Sequence, residues 1–207
     1  MRGTIKLIIA IGISELAGVI GSVFTISAIT DPSTGSGQAW YAGLAKPALN
    51  PPSWVFGPAW TTLYALMGIA AFLIWREYDK LTLSEVEGLV PQRKRQIKMA
   101  LGVFGIQLFL NAIWSIIFFG STSLTAGGLN NIGWALVDIA LLWLAIVWTI
   151  VVFYKISRSA AYLLVPYILW VSFAGYLNYS IWTLNQEMPV ACTMEARLCP
   201  DGSYVGR

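Results

Sequence analysis

Residues 40–68 read WYAGLAKPALNPPSWVFGPAWTTLYALMG, and they lead from a proline-rich loop into a long apolar segment. The stretch holds three tryptophans, two tyrosines and four prolines. Because proline fixes one backbone angle and has no amide N–H, Pro47, Pro51, Pro52 and Pro58 predict a stiff approach to a helix. Aromatic rings held so rigidly suit a membrane interface, the wall of a site for a flat apolar ligand, or both.

Composition assigns the chain to the membrane proteins. Of 207 residues, 57% are hydrophobic and only 11% are charged, whereas a soluble domain carries about 25% charged residues. A chain with so few charges cannot cover a water-exposed surface, so most of its surroundings must be lipid. No basic surface interleaved with aromatic residues is visible, and nucleic acid is not expected as a partner.

Five apolar stretches are each long enough to cross a bilayer as a helix, which takes roughly 20 residues. They are Leu7–Ile29, Trp54–Trp75, Met99–Phe119, Gly133–Phe153 and Ala160–Leu184. The first is too long for the core of a signal peptide, so we interpret it as a retained helix. The sequence predicts an all-α integral membrane protein, a bundle of five transmembrane helices within residues 1–185, followed by a polar C-terminal tail, residues 186–207.

Lysine and arginine are distributed unequally between the two ends of such a bundle. Ten of the thirteen fall with the N-terminus, the Arg76–Lys98 loop and the Tyr154–Ser159 turn. The end with the Thr30–Ser53 loop and the tail carries the other three, which are Lys46, Arg197 and Arg207. Since cytoplasmic loops are enriched in Lys and Arg, we expect a cytoplasmic N-terminus and a tail on the opposite side.

The sequence lacks the residues that most metal sites and acid–base catalytic sites use. The chain contains no histidine, the commonest haem and zinc ligand and the usual general base near neutral pH. Cys192 and Cys199 lie in the tail, where they either form a disulfide or stay free thiols. We therefore predict no catalytic residue, no metal site and no cofactor. Glu15 and Asp138, the only charged side chains within the predicted spans, either relay protons or pin helices together.

Polar and aromatic side chains recur on two of the predicted helices. Gln107, Asn111 and Ser115 follow one another every four residues, a spacing that puts side chains on one helix face. A second face of this kind comprises Trp170, Ala174 and Asn178. Both faces suit either helix packing or a ligand. Small residues in the first helix favour close packing, namely Gly18, Gly21 and Ser22.

Five motifs, in order along the chain, resemble the TspO/translocator protein family, also called the peripheral benzodiazepine receptor or tryptophan-rich sensory protein family. They are WYAGLAKP (Trp40–Pro47), PPSWVFGPAWTTLYALMG (Pro51–Gly68), LNAIWSIIFFG (Leu110–Gly120), GWALVD (Gly133–Asp138) and VPYILWVSFAGYLNYSIW (Val165–Trp182). The resemblance implies a five-helix bundle, usually a homodimer, with a pocket closed by the first long loop. The family binds tetrapyrroles such as protoporphyrin IX and, in many members, sterols and synthetic benzodiazepine-site ligands.

By motif position, the resemblance implies these ligand-binding residues: Tyr41, Pro47, Trp60, Asn111, Trp114, Trp134, Trp170, Ala174 and Leu177. The expected function is a membrane receptor, sensor or carrier that limits free porphyrin, with Lys46 or loop amides meeting a propionate. One alternative is light-dependent porphyrin degradation, reported for some bacterial members, with Trp60 and Trp170 as candidate quenchers. Another is transport of a lipid or sterol. Animal members carry a basic residue after the tyrosine of the fifth helix, and here none of residues 180–185 is basic.

Overall fold

The computed structural model describes residues 2–30, 40–83, 90–119 and 126–186, and the regular structure within them is entirely helical. The α-helices are α1 (Arg2–Thr30), α2 (Phe56–Leu83), α3 (Val90–Phe119), α4 (Ala126–Tyr154), α5 (Arg158–Tyr162) and α6 (Val165–Gln186). Two short 3-10 turns, Trp40–Gly43 and Ser53–Val55, precede α2. The predicted tail, with Cys192 and Cys199, lies outside the described residues.

Five of the described segments are long and apolar enough to cross a membrane, the fifth comprising α5 and α6 together. Large apolar side chains on the outside of the bundle are exposed, as Ile8 and Phe109 illustrate with 64% each. In water such surfaces would be unfavourable, whereas in a bilayer they contact acyl chains. The predicted all-α bundle of five transmembrane helices is confirmed.

Helices α2 and α3 continue well beyond the predicted spans. α2 ends at Leu83 and α3 begins at Val90, so most of the predicted Arg76–Lys98 loop is helical. Arg, Glu and Lys are good helix formers, and Lys80 pairs with Glu77 one turn earlier at 2.7 Å. An apolar run therefore shows how much of a helix can lie in the membrane. It does not show where the helix itself ends.

The fifth span is divided at its single proline, Pro166. Ser157 caps α5 by accepting a hydrogen bond from the Ala160 amide, and α5 ends at Tyr162. Pro166, the second residue of α6, has no N–H to continue a helical ladder from the preceding turn. Proline is tolerated in a first helical turn, so α6 starts afresh at Val165.

The helices form a closed bundle in which α1, α2 and α3 all pack against one another. α1 packs against α2 and α3, α3 packs against α4, and α4 packs against α5 and α6. α2 packs against α5 but makes few contacts with α6. Gly68 permits α2 to approach the backbone of α1 closely, since a Cβ there would lie 2.5 Å from the Ile11 Cα. Small residues are the usual means of close helix packing in a membrane, where burial of apolar surface drives little association.

The two ends of the bundle differ in what holds them together. Below, "loop end" means the end that carries residues 40–55. At the opposite end, the Lys6 ammonium donates to both Asp79 oxygens at 2.7 Å and lies 4.9 Å from the centre of the Trp75 ring. These contacts fasten α1 to α2. The helices of that half enclose fully buried apolar side chains such as Met67, Ile74 and Phe153.

Candidate ligand-binding cavity

A cavity of about 400 Å³ lies in the loop end of the bundle. Its walls come from α1, α2, α3 and α6, together with Tyr41 and Ser53 of the segment before α2. The described residues of α4 do not line it. Nine aromatic side chains do, and they are Tyr41, Phe56, Trp60, Tyr64, Trp114, Phe118, Phe119, Trp170 and Phe173. The volume is within the range of small-molecule sites, about 300–1,000 Å³.

The aromatic wall is held in place by ring contacts between helices. Trp60 stacks on Tyr64 within α2, with 5.6 Å between ring centres. The Phe56 ring meets Trp170 of α6 edge-on at 6.1 Å, which brings α2 and α6 together across the cavity. On α3, Trp114 stacks on Phe118 at 5.1 Å. Offset and edge-on pairs are the favourable arrangements of aromatic rings, so the wall is ordered before any ligand arrives.

Asn178 of α6 fixes the tryptophan of α3. The Trp114 indole N–H donates to the Asn178 Oδ1 at 3.1 Å, and the Asn178 Nδ2 donates to the Ile132 carbonyl of α4 at 2.9 Å. Asn178 is buried and lines the cavity with Trp170 and Ala174, as the predicted shared face requires. Its hydrogen bonds join α3, α4 and α6, and the same helix face borders the cavity. The face predicted to serve either helix packing or a ligand therefore contributes to packing and lines the cavity.

Asn111 lies beneath the wall. It is 2% exposed, accepts a hydrogen bond from the Tyr64 hydroxyl, and donates from Nδ2 to the Tyr167 hydroxyl at 2.9 Å. The same face of α3 includes Gln107, which is fully buried, and Ser115, which lines the cavity. The predicted polar stripe therefore faces inward along its whole length, and only its loop-end member borders the cavity.

Residues 40–50, called the lid below, meet the cavity through Tyr41. The Tyr41 hydroxyl donates to the Asn50 Oδ1 at 3.4 Å, and burial raises the pKa of Tyr41 although that hydrogen bond acts in the opposite direction. The Lys46 ammonium lies 4.7 Å from the centre of the Tyr41 ring and donates to the Leu44 carbonyl at 3.2 Å. Partial burial lowers the pKa of Lys46. A positive charge therefore lies next to the Tyr41 ring, and Lys46 is not among the described residues that line the cavity.

Asn185 fastens this loop to α6. Its Oδ1 accepts from the Ala45 amide at 2.9 Å, and its Nδ2 donates to the Ala45 carbonyl at 2.9 Å and to the Ile181 carbonyl at 2.7 Å. The side chain is fully buried. Because one side chain binds both backbone groups of Ala45, the loop is fixed to α6 at that residue.

The structure brings most of the predicted site residues together. Those that line the cavity are Tyr41, Trp60, Trp114, Trp170, Ala174 and Leu177. Asn111 lies one layer below, and Pro47 belongs to the loop without being among the described lining residues. Trp134 is placed elsewhere, 65% exposed on the outer face of α4 beside a separate shallow depression. The reason is its neighbour Gly133, which faces the Trp182 indole and so turns residue 134 outward.

Sequence reasoning missed the wall that α1 supplies. Glu15, Gly18, Ser22 and Thr25 recur every three or four residues and line the cavity. This spacing indicates that the four residues share one face of α1, but from the sequence its small residues were interpreted only as helix-packing positions. Gly18 is also a packing position, since a Cβ there would collide with the Tyr64 ring. The same face of α1 therefore packs against α2 and lines the cavity.

Fold and cavity together define an integral membrane protein of five spans with an aromatic chamber near one end. A sequence model of the TspO/MBR family matches residues 10–183, and the chain belongs to that family. It is 40% identical over 181 residues to the tryptophan-rich protein TspO of Chlorobaculum tepidum, which covers 87% of this chain and 96% of that protein. It is 42% identical over 151 residues to the translocator protein of Homo sapiens, covering 73% and 78%. Protein CrtK of Rhodobacter capsulatus is 34% identical over 175 residues, covering 84% and 89%.

Proposed function

We propose that this protein binds a tetrapyrrole such as protoporphyrin IX in the loop-end cavity and acts as a membrane receptor, sensor or carrier that limits free porphyrin. The observation that carries the proposal is the ring of nine aromatic side chains around about 400 Å³. Tryptophan and tyrosine offer large rigid contact areas to a flat aromatic ligand at low entropic cost. Membership of the TspO/MBR family supports the same ligand class.

Charge supports one orientation of such a ligand. A porphyrin is apolar over most of its area and carries its two carboxylates along one edge. Lys46 lies over the Tyr41 ring at the loop, whereas the described residues that line the cavity include no lysine or arginine. The carboxylate edge would therefore face Lys46, and the ring would enter the aromatic chamber.

Quenching of tryptophan fluorescence by protoporphyrin IX tests this proposal. On the purified chain in detergent, in darkness, we expect saturable quenching beyond that of tryptophan in empty micelles. Trp60→Phe and Trp170→Phe remove indole surface from the cavity wall and should each weaken binding several-fold, since one base-sized stacking contact is worth about 1–3 kcal/mol. Removing one tryptophan of ten changes the amplitude of quenching, so affinity is taken from the midpoint of the titration.

The matched control is Trp148→Phe, because Trp148 is 53% exposed on the outside of α4. Its affinity for protoporphyrin IX should equal that of the unmodified chain. If both cavity variants also kept full affinity, the porphyrin would not occupy this cavity.

Light-dependent degradation is a second candidate, favoured by the surroundings of Trp170. Its indole N–H is buried and has no hydrogen-bond partner among the described residues, and the ring lines the cavity. An indole in contact with an excited pigment can quench it or donate an electron. This candidate requires faster bleaching of porphyrin, in light and oxygen, than in empty micelles. Equal rates would exclude it.

Lipid or sterol transport is the remaining alternative, favoured by the exposed rim of the cavity. Val19 of α1 and Thr61 of α2 line the cavity and are both exposed on the outside of the bundle. An apolar molecule from the bilayer could enter there. Accelerated transfer of a labelled sterol between proteoliposomes is required for this activity, and its absence would exclude it.

The N-terminus is proposed to be cytoplasmic and the C-terminal tail to lie on the opposite side. The support is the distribution of basic residues, ten at one end of the bundle and three at the other. Membrane lipids and a second copy of the chain are the remaining proposed partners, the latter because a homodimer is the usual state that the family resemblance implies. Cross-linking in native membranes would test for the dimer.

A further inference from the structure

One charged side chain lines the cavity. Of the described lining residues only Glu15, on α1, carries a formal charge, and the others are aromatic, aliphatic, hydroxyl-bearing, amide or glycine. The two ion pairs among the described residues are elsewhere, Lys6 with Asp79 and Lys80 with Glu77. Glu15 is thus a carboxylate at membrane depth without a basic partner in the described part of the chain.

The surroundings of Glu15 offer it little else. Tyr64 is close enough for electrostatic interaction, but its hydroxyl already donates to Asn111. The lining residues that follow it on the same face of α1, Gly18 and Ser22, carry no charge, and Gly18 packs against the Tyr64 ring. A carboxylate in an apolar wall is costly unless a cation or hydrogen-bond donor meets it. A ligand can be that partner.

The aromatic walls of the cavity also favour a positively charged ligand, as Glu15 does. Aromatic faces attract cations through the ring quadrupole, and a cation enclosed by several rings gains more than an exposed one. Trp60, Trp114 and Trp170 supply indole rings, the strongest of the aromatic groups in this respect. A small hydrated metal ion would lose its water shell against these rings, whereas a cation shielded by its own apolar groups enters without that cost.

We propose that the loop-end cavity binds lipophilic organic cations, with Glu15 as their counter-ion and the aromatic wall around their apolar groups. Such a ligand would use a different charged contact from a porphyrin, whose carboxylates face Lys46 at the loop. Both would fill the same volume and exclude each other. The inference does not rest on porphyrin binding.

Tetraphenylphosphonium and tetraphenylborate test it, because they have nearly the same size and shape and opposite charge. Each is titrated alone against the purified full chain in an uncharged detergent, and partition into empty micelles is subtracted. We expect saturable protein-dependent binding of the phosphonium and none of the borate. Glu15→Gln should weaken phosphonium binding at least about tenfold, as expected when one partner of a desolvated charge pair is removed.

Two further variants and a competition complete the experiment. Glu77→Gln makes the same chemical change on α2, at the end of the bundle opposite the cavity, and should leave phosphonium affinity unchanged. Glu15→Asp keeps the charge and should retain most of the affinity. Each variant is first checked for an unchanged melting curve. In the unmodified chain, the phosphonium should raise the apparent Kd of protoporphyrin IX, if the porphyrin binds.

Either of two results would overturn the inference, and the first needs no variant. Equal saturable binding of both ions to the unmodified chain would show that charge does not select ligands here. Full phosphonium affinity in a folded Glu15→Gln protein would do the same. Failure of protoporphyrin IX to bind would contradict only the function proposed above, because the phosphonium is measured in its absence.

Discussion

Asn111 illustrates how a single buried side chain joins three helices. From α3 it bonds the hydroxyls of Tyr64 on α2 and Tyr167 on α6. The family resemblance implied a ligand-binding role for this residue, and the geometry gives it a supporting one: it positions Tyr64, whose ring lines the cavity and stacks on Trp60. Its amide oxygen accepts from the Tyr64 hydroxyl and its amide nitrogen donates to the Tyr167 hydroxyl, so both ends of the amide bind protein partners.

We predict that Asn111→Leu destabilises the protein, because it leaves two buried hydroxyls without a partner. Each such group costs about 1–3 kcal/mol. The free energy of unfolding in detergent, or the melting temperature, measures the loss. Asn130→Leu is the matched control, since Asn130 is exposed on α4, and it should change stability little.

A combined variant separates hydrogen bonding from packing. Removing the stranded hydroxyls, by adding Tyr64→Phe and Tyr167→Phe to Asn111→Leu, should restore part of the lost stability, since apolar groups of similar shape carry no desolvation penalty. A triple variant as unstable as the single one would mean that shape, and not hydrogen bonding, is what Asn111 contributes.

At the scale of elements, the lid is the part that the sequence specifies least. The prolines predict a stiff segment at residues 47–52, but their spacing does not predict which helix this segment contacts. The docking contact comes from 140 positions away in the chain, where Asn185 binds both backbone groups of Ala45. Beneath it, Leu44 is buried with Phe118 and Ile181 in a small apolar cluster. One polar clamp and one apolar contact together hold the lid on the bundle.

We predict that Asn185→Ala loosens the lid without unfolding the helices. Loss of the two bonds to Ala45 should increase hydrogen exchange at the Ala45 amide by about tenfold, the factor that corresponds to roughly 1.4 kcal/mol of local stability. Hydrogen–deuterium exchange with a peptide covering residues 41–49 measures it directly. In Thr183→Ala, which removes only hydrogen bonds within α6, exchange there should not change. Unaltered exchange in Asn185→Ala would mean that Leu44 alone holds the lid.

At the scale of the whole molecule, the sequence predicts the architecture well because lipid simplifies the problem. A membrane-spanning segment must satisfy its own backbone, so each of the five apolar stretches had to be a helix. The ends of α2 and α3 were placed wrongly because charged residues such as Lys80 propagate a helix in water as readily as apolar ones do in lipid.

The site was predictable only where family motifs or helix periodicity identified it. Trp170 and Ala174 satisfy both criteria, and both line the cavity. Trp134 was identified by a family motif but not by helix periodicity, and it lies on the outer face of α4. Glu15 was visible as a charge within a span, but no pattern in a single chain relates it to aromatic rings on three other helices. Contacts between distant segments are what the structure adds.

The orientation of the bundle can be tested through its cysteines, since Cys192 and Cys199 are the only two in the chain. Basic side chains cluster at the end opposite the loop, where Lys94 and Lys98 lie over the Tyr78 ring. With that end in the cytoplasm, a membrane-impermeant maleimide should label the tail of intact cells after mild reduction.

The reciprocal position supplies the control. Lys155 is exposed in the turn between α4 and α5, and Lys155→Cys in a chain with both natural cysteines changed to alanine should react only after the membrane is permeabilised. The reverse pattern, with position 155 labelled in intact cells and the tail protected, would place the cavity and its lid on the cytoplasmic side. This one experiment therefore determines on which side of the membrane the cavity and its lid lie.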